Sequence, residues 1–491
     1  MTGLQTSHFR EQARNAIKTA FHAPNEKYAL IFTGSGVTAS IDKFSRMIGI
    51  HKKHLNVDEE TKTKPVVFIG PYEHHSNEVY WRETHAKLVK IQVDPQTGSI
   101  DHKDLERQLQ KYANHNLKIG SFSAASNVTG IRTETKILSQ ILHKHGALAC
   151  FDFASAGPHS VVNIDKDNID VAFFSVHKFA GGPQTPGILI LRRTIFEDYT
   201  QHRPPTIPGG GTVTYVLPED GQVYNDNIEE REEGGTPAIV ESIRAGLIVT
   251  IHKEMASQIE EIEESYLARA LKCWGSSPNL LILGNLDTKR VPIISFIIKD
   301  PFGTEKFVHH DLVTVLLNDL FGIQARGGCA CASPYGHLLM AIDQAKSNKI
   351  KEAFHSNGTI MKAGWTRIAF SYYMDEETVN YIIQAVTIVA EESAKLLPWY
   401  MINSRGSWSY VGTKGKANNV SIMDLWDLQN VTKKYEKPGR IKTKDLCKSM
   451  KHAKKVIKTL GDTTSTLSIT QTDRKIFDEK ERWFLVPEEI N

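Results

Sequence analysis

Cysteine is scarce in this chain, with 5 among 491 residues. Cys150, Cys273, Cys329, Cys331 and Cys447 are an odd, scattered set, unlike the dense frameworks of small secreted domains, so a reducing compartment is expected. Long hydrophobic runs are missing too. No uncharged apolar stretch approaches the ~20 residues that span a bilayer, and the N-terminal MTGLQTSHFREQARNAIK has no apolar signal core. A soluble, cytoplasmic protein with no membrane partner is the expectation. No second C-x-C or C-x-x-C accompanies Cys329 and Cys331, which leaves a zinc site without ligands, and no metal is expected. Charge of one sign is also lacking overall. The net charge of +3 implies no polyanionic partner. It does hide an asymmetry: residues 401–491 hold 18 Lys and Arg against 11 Asp and Glu, leaving the rest of the chain at −4. With no aromatic interleaving beyond Tyr435 in its basic stretch from Lys433 to Lys458, this tail reads as a solvated or partner-docking appendage, and nucleic-acid binding is not expected.

What is present is an ordinary globular composition, 40% hydrophobic and 23% charged, over a length sufficient for two or three domains. From about Lys27 to Ile190, β-branched runs alternate with longer amphipathic segments. YALIF, PVVFIG, KLVKIQV, LKIGSFS, ALACFDF, VAFFSV and GILILRR read as strands, and segments such as HKDLERQLQKYANH and TETKILSQILHKHG as crossover helices. The pattern predicts an α/β fold with a mainly parallel sheet in a large domain. A long helix after Pro237 leads into a smaller α+β domain whose strands include VPIISFIIKD and TRIAFSYY. The expected organisation is an N-terminal segment, 1–26, a large domain, 27–265, a small C-terminal domain, 266–400, and the basic tail, 401–491.

In such sheets ligands collect at the carboxyl ends of strands. After YALIF comes TGSGVTAS, Thr33 to Ser40, whose glycines permit a tight turn and whose Thr38 opens a helix, an arrangement able to hold a phosphate on backbone N–H groups. Such turns are also ordinary strand-to-helix connections. In FDFASAGPH, Asp152 ends an apolar strand, where a carboxylate is costly to bury without a cationic or hydrogen-bonding partner. In FFSVHKFAGGPQTPG, Lys178 follows another such strand beside Ser175 and His177. Singly, Asp152 reads as a turn residue and Lys178 as a surface cation. Together they suit pyridoxal phosphate, which needs a lysine to form a Schiff base and an acid for its ring nitrogen.

From about Lys27 to Leu397 the chain resembles the fold-type I pyridoxal-phosphate enzymes of the class V aminotransferase group, and within it cysteine desulfurases and selenocysteine lyases. The resemblance rests on TGSGVT, EHHSN (Glu73 to Asn77), SNVTG (Ser126 to Gly130), FDFASAGPH, FSVHK, GGGTV (Gly209 to Val213), REEGGTP (Arg231 to Pro237), RGGCACASP and RIAFSYYMDEE (Arg367 to Glu377). It implies that Lys178 is the Schiff-base lysine, that Asp152 faces the pyridine nitrogen, and that His74 stacks on the ring as part of the catalytic set. It further implies that Asn127 contacts the cofactor's phenolic oxygen and lines the substrate side, while Val37, Thr38, Ser175 and His177 hold the phosphate. Thr212 would reach the phosphate of a neighbouring subunit, which implies a homodimer with shared active sites. Arg367 would take the substrate carboxylate, with Arg326 assisting. Ser155 stands three residues after Asp152, where desulfurases usually carry a glutamine that contacts the cofactor; the shorter hydroxyl leaves the amino-acid substrate open.

The stretch RGGCACASP has its own question. A disulfide between Cys329 and Cys331 would close a very small strained ring, so the residues leave a nucleophile or plain packing. The register of the resemblance puts Cys331, and not Cys329, at the cysteine that accepts sulfur. It implies a desulfurase taking sulfur from L-cysteine to give alanine and an enzyme persulfide for an acceptor protein. The alternative is another class V reaction, such as selenocysteine cleavage, transamination or epimerisation.

Overall fold

The computed structural model describes residues 2–51, 64–301, 303, 305–402, 407–413, 442–461 and 482–486; of residues 356–359 it describes the backbone. The chain divides into two compact units, Met1–Ser265 with Gly284–Ile293 and Tyr266–Leu283 with Ile294–Asn491.

The first unit is built on strands β1 (Tyr28–Phe32), β2 (Val66–Ile69), β3 (Lys87–Lys90), β4 (Lys118–Ser123), β5 (Leu148–Asp152), β6 (Val171–Ser175) and β7 (Gly187–Arg192). They pair in the order β1-β7-β6-β5-β4-β2-β3. All seven strand segments read from the sequence are present. β7 runs antiparallel to both its neighbours, and the β6-β5-β4-β2-β3 pairs are parallel. The carboxyl ends of β1, β2, β4, β5 and β6 therefore lie along one edge. Strands such as YALIF and VAFFS are buried at every position, as in a sheet covered on both faces.

Successive side chains go to opposite faces. Phe173 joins a core with Val37, Ile41, Phe44 and Met47 of α2 (Gly36–Met47), whereas Phe174 stacks on Phe21, with ring centroids 4.0 Å apart, just beyond α1 (Thr2–Ala20). The N-terminal helix α1 is part of this unit, because buried Arg14 donates to the Leu30 carbonyl and to Glu233. The other helices are α3 (His75–Arg82), α4 (His102–Lys111), α5 (Thr135–Lys144), α6 (Arg193–Tyr199) and α7 (Ile228–Glu232), followed by the long α8 (Ile239–Trp274). A hairpin of β8 (Val213–Val216) and β9 (Gln222–Tyr224) carries exposed Tyr215, Val216 and Val223.

The second unit holds β10 (Leu280–Ile282), β11 (Ile293–Lys299), β12 (Phe307–Val308), β13 (Arg326–Gly328) and β14 (Trp365–Ala369) in one sheet of order β10-β11-β14-β13, with β12 on β11. Its helices are α9 (His310–Phe321), α10 (Ser333–Leu339), α11 (Gln344–Asn357) and α12 (Glu376–Leu396), and a hairpin of β15 (Tyr400–Ile402) and β16 (Trp408–Tyr410) follows.

The reading of 401–491 as a solvated appendage is corrected for the described part. Helix α13 (Thr443–Gly461) buries Met450, Ala453 and Ile457 and packs on α12 and α9. Phe484 is fully buried beside Phe307, whose N–H donates to the Trp483 carbonyl at 3.1 Å and whose carbonyl accepts from Leu485 at 3.0 Å. The apolar spacing of α13 and the RWFLVP aromatics supply burial that outweighs the tail's charge. Lys433–Arg440 lie outside the described residues.

Candidate active site

The carboxyl edge of the first unit's sheet gathers chemistry from five strands. After β1, the turn Thr33–Gly36 is tied to β7 by the Thr33 N–H on the Gly187 carbonyl at 2.8 Å. Gly36 opens α2 with φ +57°, and a Cβ there would lie 2.5 Å from the His177 ring and 2.6 Å from Ser175 Oγ. Only glycine satisfies both the left-handed backbone and that close approach. One residue on, the Val37 N–H donates to Ser175 Oγ at 3.0 Å. Thr38 is exposed on the first turn of α2, its hydroxyl 2.7 Å from Ser76 Oγ. Ser76 in turn donates its N–H at 3.1 Å to His74 Nδ1, which caps α3. Hydrogen bonds thus join Val37 to Ser175 and Thr38 through Ser76 to His74, and the cradle at Gly36 adds His177. Burial lowers the pKa of His177, and the Lys178 charge adds to this, so its imidazole is a neutral hydrogen-bonding group at pH 7.

Asp152 ends β5, opposite Ser123 of β4 and Phe173 of β6. Its carboxyl is 3% exposed and accepts the Ala154 N–H at 2.7 Å. Burial raises its pKa, opposed by the charge of Lys178. Lys178 ends the short 3-10 turn Val176–Lys178 directly after β6, exposed to solvent. Asn127 is buried in the loop after β4, where the Ser126 hydroxyl accepts the N–H groups of Val128 and Thr129 at 3.1 Å. Ser155 is half-buried in the turn after β5. Thr212 is fully buried, and its hydroxyl donates to the Gly209 carbonyl at 2.8 Å within its own loop.

Glu73 of EHHSN also lies at this edge, and the sequence alone gives it no role. Glu73 is 1% exposed and accepts from Gly70 N–H at 3.1 Å, Asn77 Nδ2 at 2.7 Å, Ser123 N–H at 2.9 Å and Ser123 Oγ at 2.6 Å. Its carboxyl therefore clips the ends of β2 and β4 together beside His74. Burial pushes its pKa up to about 7 against these donors, with Asp152 contributing as a second negative charge. The signal available in the sequence was the helical spacing of Glu73 and Asn77.

The second unit carries the other three candidates. Arg326 and Arg367 are paired neighbours across β13 and β14. Burial, with Arg326 adding like charge, lowers the pKa of Arg367 to about 10, opposed by Cys331; its guanidinium is still charged at pH 7. Beyond Gly328 the chain turns through Ala330 and Cys331, both left-handed at φ +49° and +56°. Arg326 donates to Cys331 Sγ at 3.4 Å. All five cysteines are free, with Cys329 and Cys331 half-buried.

The family model for aminotransferase class-V matches residues 2–382. The chain belongs to that family. Within this class V family, it is 29% identical over 333 residues to a probable cysteine desulfurase of Halalkalibacterium halodurans, covering 66% of this chain and 73% of that protein. A probable cysteine desulfurase of Streptomyces coelicolor is 28% identical over 331 residues, with the same coverage. Among solved structures, the apo cysteine desulfurase of Thermococcus onnurineus superimposes with a TM-score of 0.64 at 23% identity, covering 80% of this chain and 86% of that one. A cysteine desulfurase of Escherichia coli in an S-sulfonic acid form gives 0.62 at 21%, covering 79% and 85%. These likenesses establish the fold-type I architecture.

Class V enzymes depend on pyridoxal phosphate, and the residues of the first unit fit that group. A nearly fully buried carboxylate with one backbone donor among the described residues suits a cationic ring nitrogen. The helix N-terminus at Gly36, flanked by Ser175 and His177, suits a phosphate. Lys178 supplies the amine.

Proposed function

We propose that this class V enzyme is a cysteine desulfurase: it takes sulfur from L-cysteine, releases alanine, and holds the sulfur as a persulfide on Cys331. The observation that carries this reading is the geometry of Cys331. Two consecutive non-glycine residues with φ near +50° store strain of roughly 1–3 kcal/mol each, a cost that clusters at functional sites. Here the strained turn brings a half-buried thiol to a guanidinium. The relatives named as probable cysteine desulfurases support it.

Bound pyridoxal phosphate supplies an electron sink that makes the substrate's Cα proton acidic. In this reading Asp152 holds the ring nitrogen, Gly36, Val37, Thr38, Ser175 and His177 hold the phosphate, His74 covers the ring, and Asn127 and Ser155 face its polar substituents. Arg367 takes the substrate carboxylate. The Lys178 amine removes the Cα proton. The Cys331 thiolate attacks the substrate sulfur, an S–S bond forms, the Cβ–S bond breaks, and its electron pair is protonated to leave the methyl group of alanine. Cysteine and one thiol thus give alanine and one persulfide, with no outside oxidant. An acceptor protein then takes the terminal sulfur.

The assembly follows as part of the proposal. The exposed apolar hairpin of Tyr215, Val216 and Val223, next to the exposed Gly209–Gly211, suits burial against a second copy and supports a homodimer. Five free cysteines support a reducing, cytoplasmic setting. Ser155 favours a second reading, a class V reaction on another amino acid, because it offers a shorter hydroxyl where a longer side chain would reach the cofactor.

The test is turnover. Protein loaded with pyridoxal phosphate and given L-cysteine with a thiol reductant should release sulfide and alanine in equal amounts, and Lys178→Ala should release neither while retaining its melting temperature. Loaded wild-type protein that leaves cysteine intact but converts selenocysteine or another amino acid would replace this reading with the second.

A further inference from the structure

His310 lies against the strand that carries Arg326, and nothing in the reaction above uses it. It opens α9, buried at 6% exposure, with its ring between two glycines. A Cβ on Gly327 would lie 2.4 Å from Asp311 Oδ1 and 3.1 Å from His310 Nδ1, and a Cβ on Gly364 would lie 2.6 Å from His310 Cδ2 and 2.7 Å from the Gly328 Cα. Glycine at both positions is what lets the imidazole approach the backbone of β13 so closely. Both ring nitrogens face acceptors. Nδ1 is 2.9 Å from Asp311 Oδ1, and Nε2 is 3.3 Å from the Lys362 carbonyl. A neutral ring has one N–H to give and would turn a lone pair toward the other oxygen, whereas an imidazolium donates to both. Asp311 does not supply the missing proton: burial raises its pKa, but the hydrogen bond and charge of His310 outweigh burial and hold the carboxyl below its ordinary range. Neighbouring His309 differs. Its Nδ1 accepts the Asp311 N–H at 3.1 Å and its Nε2 donates to the Ile360 carbonyl at 3.0 Å, as a neutral ring requires, and burial together with the His310 charge pushes its pKa down to about 3. The Trp483 ring stacks on His310 with centroids 5.9 Å apart, a face that favours a cation.

We propose that His310 is a positioning residue: an imidazolium tied to Asp311 and to the Lys362 carbonyl, it fixes Gly327 and Gly328 and through them sets Arg326 against the Cys331 thiol. Arg326 directly precedes Gly327, and its guanidinium is the donor to Cys331 Sγ. The turn that bears Cys331 leaves β13 directly after Gly328. Gly327 is paired with Thr366 of β14, whose hydroxyl donates to the His310 carbonyl at 3.2 Å, so the backbone of His310 holds one strand while its ring holds the other. A ring that loses a proton, or a side chain with a single donor, sets an acceptor against one of the two oxygens. That contact then opposes the close approach it had supported, and Arg326 loses its register with the sulfur. The effect on turnover rests on the desulfurase reading, whereas the charge of the ring and the reactivity of the thiol do not.

The experiment uses the full chain with isotope-labelled histidine ring nitrogens. The resonances that disappear in His310→Gln should show, in the wild-type protein near neutral pH, both ring nitrogens bearing protons; a ring with one protonated nitrogen would overturn the proposal whether or not the variant folds well. The thiol is read by iodoacetamide alkylation of Cys331 with Cys329 as reference. His310→Gln should slow Cys331 relative to Cys329 about twofold to fivefold, the loss expected when a weak charged contact goes. His310→Gln/Arg326→Gln should be no slower than Arg326→Gln alone, because the histidine acts through the arginine. Phe484→Ala, which removes packing from the same unit, should leave the ratio unchanged. Additive slowing in the double variant, an unchanged ratio in His310→Gln, or an equal fall in Phe484→Ala would each overturn the role. With pyridoxal phosphate and L-cysteine, His310→Gln should lower kcat about twofold to fivefold and hold KM within about twofold, since the substrate carboxylate is assigned to Arg367, whose strand the variant's backbone carbonyl still holds. A change confined to KM would contradict the route through Arg326. Wild-type protein that leaves cysteine intact would defeat the desulfurase reading instead, with the ring and alkylation results still deciding the place of His310.

Discussion

The Arg326 guanidinium donates to Sγ of Cys331 at 3.4 Å, five residues along the same loop. The contact closes over the left-handed turn at Ala330 and Cys331, so the arginine both fixes the thiol's direction and offers charge to a developing thiolate. An exposed pair of this kind is worth up to ~1 kcal/mol. Arg326→Gln is therefore expected to slow alkylation of Cys331 by iodoacetamide about twofold to fivefold, with the rate at Cys329 unchanged as the internal reference. Equal slowing at both cysteines would show that the loop as a whole had moved.

Glu73 gives the first unit a pH dependence whose sign is fixed by its surroundings. Its folded pKa is raised to about 7, first by burial and then by Asp152, above the ordinary carboxyl range of an unfolded chain. The native state therefore holds a proton that the unfolded state has released. The stability associated with that proton is fully present below about pH 4.5 and is lost as pH rises to about 7, a change of about 3 kcal/mol. The difference in unfolding free energy between wild-type protein and Glu73→Gln is expected to shrink across that window. Parallel curves for the two proteins would contradict the assignment.

Phe484 tests whether the far end of the tail is part of the second unit. It is fully buried, its ring 4.8 Å from that of His309, and its neighbours are hydrogen-bonded to Phe307. Phe484→Ala is expected to cost about 3 kcal/mol or more in denaturant titrations, as large-to-small core changes do. A cost below ~0.5 kcal/mol would mean that the segment contributes no packing.

The seven strands of the first unit were legible because each is a short β-branched or aromatic run, and Tyr28–Phe32 begins and ends where YALIF does. The places of Asp152 at the end of one buried strand and of Lys178 just after the next were legible because polar residues stand out against such runs. The tail was not. Phe484 meets Phe307 and His309 across more than 170 residues of sequence, and no local periodicity announces such a contact. Glu73 escaped notice for a related reason, since its donors come from Gly70, Asn77 and Ser123, and only the pairing of β2 with β4 assembles them. The strain at Cys331 is a backbone property that residue type alone hides, because neither alanine nor cysteine favours φ near +50°.

The most direct measurement is mass spectrometry of the peptide containing Cys331 after protein loaded with pyridoxal phosphate meets L-cysteine without reductant. The account expects added sulfur on Cys331, none on Cys329, and one alanine released for each persulfide formed. It also expects Cys331→Ala to keep bound cofactor and lose nearly all sulfide release. Full sulfide production by Cys331→Ala, or persulfide confined to another cysteine, would contradict it.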